Sequence, residues 1–111
     1  MRHDAPAMIR RLCILLLATL PGVPALCEAH SPVFDCFSEN DGSVSCEGGF
    51  SDGTSATGVA VRVLDASEKL LLSGKIDAEG RFSFARPTGD FHIVFDAGAG
   101  HSVTVFSSDI T

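Results

Sequence analysis

The sequence predicts an all-β protein, a small antiparallel two-sheet sandwich of about seven strands, preceded by a removable leader. Three observations lead there. Short segments alternate apolar with polar or small residues, as at Val59, Val61 and Val63 or at Phe91, Ile93 and Phe95. Clusters of Gly, Asn, Asp and Pro separate those segments. The first 29 residues differ in composition from all that follows.

That leader carries Arg2, Arg10 and Arg11, then the apolar run Leu12–Leu20, then the small, turn-rich stretch Pro21–Ala29. Basic, apolar, small is the order of a secretory signal peptide, and the apolar run is too short to span a bilayer. Met8 could equally begin the chain, because the segment from Met8 to Leu20 is already a complete signal. Cleavage after Ala25, after Cys27 or after Ala29 each leaves small residues at the recognition positions. Cysteine parity favours the last two: Cys13 and Cys27 leave with the leader, and Cys36 and Cys46 remain as a pair. We take residues 1–29 as the signal peptide and 30–111 as one domain, periplasmic or secreted. Leu26 before Cys27 is too large for lipoprotein processing.

The strands are expected over 33–38, 43–50, 58–65, 69–76, 81–86, 90–97 and 101–107. The first two flank Asn40-Asp41-Gly42, which suits a three-residue hairpin loop with Gly42 in the left-handed position. Centring that loop on Asp41 sets Cys36 directly opposite Cys46, a spacing that a disulfide tolerates. Asp77-Ala78-Glu79-Gly80 marks a second hairpin, with Gly80 supplying positive φ. A core of this size usually needs a covalent staple, and the cystine provides it.

Charge narrows the function. Residues 30–111 hold five Lys or Arg against twelve Asp or Glu, a net charge of −7. Such a surface repels nucleic acid and anionic lipid. With no second apolar run, no direct membrane anchor is expected after cleavage. No Gly-x-Ser-x-Gly elbow or His-Glu-x-x-His occurs, and no helix follows Gly48-Gly49 or Gly98-Ala99-Gly100, so no enzyme is expected.

Gly58-Val59, Asp77-x-x-Gly80-x-Phe82, Pro87-x-Gly89-Asp90-Phe91 and Gly100-His101-x-Val103 resemble the carboxypeptidase regulatory-like domain, a transthyretin-like (prealbumin-like) sandwich. The whole of 30–111 also resembles a set of small exported proteins that accompany nickel and cobalt uptake systems of the energy-coupling type. That likeness is carried by AHSP, FDCF, CEGGFSDG and DAGAGH. It implies an extracytoplasmic accessory of a membrane metal-transporter subunit, with Ni(II) or Co(II) as cargo.

Neutral imidazole, carboxylate and amine suit those ions. Cleavage after Ala29 would give His30 both an α-amine and a ring nitrogen. Cleavage after Cys27 would instead place His30 third, where amine, two amides and imidazole can wrap a square-planar ion. His101, opening the last strand after a flexible loop, has Asp96 just across that loop, and His30 could complete the set if the N-terminus folds back. The candidate metal residues are therefore His30, His101 and Asp96. Their bland alternatives are a disordered tail for His30 and a loop-fixing hydrogen bond for His101. His92 alternates with Phe91 and Ile93 and is expected on the surface, and Asp35 and Glu47 are expected to come close across the hairpin, as a weak cation site or, more simply, an ordinary acidic face. The competing functional class is a non-catalytic structural or interaction module with no metal role.

Overall fold

The computed structural model describes residues 30–111. The expected signal peptide lies outside the described residues. Seven strands run in order: β1 Pro32–Ser38, β2 Ser43–Phe50, β3 Ala60–Asp65, β4 Leu70–Lys75, β5 Arg81–Ala85, β6 Phe91–Asp96 and β7 Ser102–Phe106. A 3-10 turn, Ser107–Asp109, follows. The strands form two antiparallel sheets, β1-β2-β5 and β4-β3-β6-β7. This is the two-sheet sandwich that period-two alternation demands, since each sheet has one apolar face to cover.

The core lies between the sheets. Phe34, Cys36, Val44, Cys46 and Phe84 face inward from the smaller sheet. Val61, Val63, Phe91, Ile93 and Phe95 meet them from the larger one. Full burial of each such side chain contributes about 1.5–3 kcal/mol. Phe34 and Phe95 stack across the middle with ring centroids 4.9 Å apart. The flanks are sealed differently. On one side Gly74 has no side chain, so the Phe82 ring of β5 lies against the β4 backbone. On the other, the Ser38 amide donates to the Thr111 carbonyl at 3.1 Å and ties the chain's end to β1.

The hairpin register follows the expectation. Cys36 pairs with Cys46 and Phe37 with Ser45. Gly42 takes φ +86°. The Cys36–Cys46 disulfide is formed, with Cα atoms 4.0 Å apart, and both residues are buried. The third strand begins at Ala60 rather than Gly58: Gly58 is left-handed at φ +88° and its amide bonds Ile76 outside the ladder.

Aspartates build the turns. Asp41, Asp52, Asp65, Asp77 and Asp96 each accept the amide of the residue two positions on. Short side-chain carboxylates thereby supply the turn contacts that strands cannot. No helix among the described residues is long and apolar enough to cross a membrane.

Candidate metal-binding site

The antiparallel order carries His30, just before β1, and His101, just before β7, to the same end of the sandwich. Their ring centroids are 6.3 Å apart, with planes inclined at 37°. The His30 ring also meets Phe50 edge-on at 5.9 Å. Phe50 in turn contacts the core ring Phe95 at 6.2 Å, so the N-terminal imidazole is seated on the body of the domain.

Each ring is oriented through Nδ1. His30 Nδ1 lies 3.2 Å from Asp52 Oδ2. His101 Nδ1 lies 3.1 Å from the Ala99 carbonyl oxygen. Both partners are acceptors, so Nδ1 carries a proton in each case; in the neutral ring that leaves the lone pair on Nε2. A carboxylate or backbone carbonyl on the distal nitrogen is the usual arrangement behind a metal-ligating histidine. The two loops thus bring two imidazoles, each with Nδ1 against an oxygen acceptor, to one rim.

Asp52 was not among the residues expected from the sequence, yet the hairpin register contains it. Pro32 pairs with Phe50, so two further steps along each strand bring His30 opposite Asp52. Its carboxyl is held below the usual aspartate value, first by hydrogen bonds from Thr54 and then by the neighbouring His30.

Asp96, expected beside His101, is engaged elsewhere. Its Oδ2 receives Arg62 Nη1 at 3.0 Å, and its Oδ1 accepts the Gly98 amide at 3.0 Å and the Ser102 hydroxyl at 3.5 Å. The Arg62 bond is the main reason its pKa is lowered, followed by the Gly98 amide. Among the described residues, no three His, Cys, Asp or Glu side chains are grouped as a closed metal cage.

His92 occupies the opposite end. Its Nε2 is 3.4 Å from Glu68 Oε2 and its ring lies 5.7 Å from that of Phe106; it faces away from the core as expected, but its side chain is only 12 % exposed, so it is not an open surface residue. The expected Asp35–Glu47 juxtaposition is also present, as a cross-strand pair, and Arg81 Nη2 approaches Glu47 at 3.4 Å.

In the folded protein the carboxyls of Asp41, Asp52 and Asp96 all titrate below the ordinary aspartate range. For Asp41 the cause is Ser43, through its hydroxyl and amide. A depressed carboxylate stabilises the fold above its unfolded pKa, and that stabilisation is lost as pH falls through the folded value. These three carboxylates should therefore add to acid destabilisation below about pH 4. The destabilisation caused by Asp96→Asn should be full at neutral pH and shrink as pH falls below about 4, which thermal melts across a pH series can read.

Comparisons with protein-family models, curated proteins and solved structures gave no match.

Proposed function

We propose that the protein is an exported, non-catalytic β-sandwich module that binds a divalent transition metal, Ni(II) or Co(II), between His30 and His101. The carrying observation is that both imidazoles put Nδ1–H on an oxygen acceptor while their rings face one rim 6.3 Å apart. Metal–nitrogen bonds of about 2.0–2.1 Å put two adjacent ligating rings about 5 Å apart between centroids, so this pair must close by about 1 Å. Solvent-facing loop residues can make that movement. The His30 side chain is 45 % exposed.

Two further features support the reading. AHSP and DAGAGH, two of the stretches that resemble the nickel- and cobalt-associated proteins, supply the two imidazoles. The leader pattern over residues 1–29 and the Cys36–Cys46 cystine fit a periplasmic or secreted protein. In that setting it would serve a membrane metal-transporter subunit by holding and releasing its cargo. The open site, with two protein nitrogens rather than a full cage, suits a handover better than storage.

The test is a Ni(II) and Co(II) titration of the protein purified from the exported fraction, by calorimetry and native mass spectrometry. One ion per chain is expected, with binding lost in His30→Ala and in His101→Ala and retained in His92→Ala. Asp52→Asn should weaken affinity by roughly 10–100-fold, the usual cost of removing an orienting carboxylate. Binding that survives His101→Ala, or none above background, would leave the interaction module without a metal role as the better reading.

A further inference from the structure

A second surface, at the other end of the sandwich, is independent of the metal reading. Strand register places Leu70, Leu64, His92 and Phe106 side by side in one row across the outer face of the four-stranded sheet. A register shift between Val63 and Leu64 leaves Leu71 over beside the row. Leu70, Leu71 and Phe106 are 52 %, 41 % and 54 % exposed, which gathers here three of the five exposed large apolar residues among the described residues. Exposed apolar area gathered in one place marks an interaction surface.

A groove of about 330 Å³ opens at the Phe106 end of the row. Its walls include Glu68, Asp90, His92, Phe106, Ser107 and Ser108, and no Lys or Arg lines it. Arg86 is held over the Phe91 ring and donates to Ser38, and Arg62 is held by Asp96. The groove is at the small end of ligand-pocket sizes, which suits one side chain rather than a cofactor.

Glu68 is singular among the turns of the described residues. The β3–β4 turn repeats the β5 hairpin turn bond for bond. Asp65 Oδ1 accepts the amides of Ser67 and Lys69, as Asp77 Oδ1 accepts those of Glu79 and Arg81. The Glu68 amide bonds the Asp65 carbonyl, as the Gly80 amide bonds that of Asp77. Gly80 takes φ +82° at the left-handed position, and its counterpart Glu68 takes φ +68°. Glutamate is strained there and glycine is not. The substitution gives the turn no advantage, but it does hold a carboxylate, 74 % exposed, over His92 at the groove.

We propose that this face docks a partner protein through a segment that is both cationic and apolar. One Lys or Arg side chain enters the groove between Glu68 and Asp90 and lies on the exposed Phe106 ring, as cations do on aromatic faces. Apolar neighbours in the same segment cover Leu70 and Leu71. Charge complementarity selects this occupant. A second copy of the chain would bring the same acidic rim and the same net charge of −7 over residues 30–111, and an anionic lipid surface would be repelled for the same reason.

The test is a chemical-shift titration of ¹⁵N-labelled exported protein with the tripeptide acetyl-Leu-Arg-Leu-amide, and with acetyl-Leu-Glu-Leu-amide as control. Saturable shifts are expected at the amides of Glu68, His92 and Phe106 with the arginine peptide alone. Glu68→Gly should abolish them while the protein melts at the same temperature or higher, because glycine relaxes the turn. Asp90→Asn should weaken binding several-fold. Four outcomes overturn the proposal: no saturable shift, equal response to the glutamate peptide, shifts spread over the whole acidic surface, or concentration-dependent shifts at this row without peptide, which would point to a second copy.

Discussion

Phe95→Ala is expected to cost the fold about 3–5 kcal/mol, the largest single loss predicted for it. Phe95 is 0 % exposed, stacks on Phe34, and touches Phe50 beneath the His30 ring. Truncating a buried phenylalanine costs about 3–5 kcal/mol, through lost transfer energy and the cavity left behind. A domain of this size has roughly 4–12 kcal/mol of total stability at ordinary values per residue. The loss is therefore a large share of everything that holds the sandwich. Collapse cannot repair the site, because both sheets are tied at their flanks through Gly74 with Phe82 and through Ser38 with Thr111. Phe106→Ala, at a 54 % exposed position, should cost well under about 1 kcal/mol. Urea unfolding of the two variants beside the parent separates them. A small effect at Phe95 would contradict the core described above.

Removing the disulfide is expected to produce the second-largest loss. Chain-entropy reasoning gives about 2–3 kcal/mol for a closed loop this short. For a domain under 100 residues, about 1 kcal/mol moves the melting temperature by about 4–8 °C, so a fall of roughly 10–20 °C is expected. Cys36→Ala with Cys46→Ala isolates the effect without leaving buried thiols to repair or polar groups to satisfy. Both residues are buried against Phe34, Val44 and their neighbours, so reductant should act slowly on the folded protein and quickly once it unfolds. An unchanged melting temperature in the double variant would show that the cystine is dispensable to the fold.

The fold was legible because its determinants are local. Alternation at Val59–Val63 and Phe91–Phe95 gives strands and faces, Asn40-Asp41-Gly42 gives a register, and that register sets Cys36 against Cys46. The candidate site was legible in part for the same reason. His30 and His101 each flank a strand start, and antiparallel order brings them to one rim. Asp52 follows from extending the first hairpin by two residues beyond Pro32 and Phe50, a step that local turn chemistry alone does not prompt.

Other features depend on which strands are neighbours in the sheet, and no local pattern encodes that. Asp96 bonds Arg62 because β6 lies beside β3 and places the two on one diagonal. The row of Leu70, Leu64, His92 and Phe106 exists only once four strands are ordered β4-β3-β6-β7. Glu68 carries no sequence mark of its left-handed backbone, since the residue that normally signals that conformation is glycine. Its likeness to Gly80 appears only when the two turns are compared bond by bond.

The proposed metal site can be tested at the level of single nitrogen atoms. Long-range ¹H–¹⁵N correlation spectra of the histidine rings, recorded at about pH 8.5 where imidazole is ordinarily neutral, report which nitrogen holds the proton. His30 and His101 should both appear with the proton on Nδ1, and Zn(II), a diamagnetic stand-in for the proposed cargo, should move the Nε2 resonance of those two rings and leave His92 unchanged. Protons on Nε2 in the free protein, or a response confined to His92, would contradict the assignment.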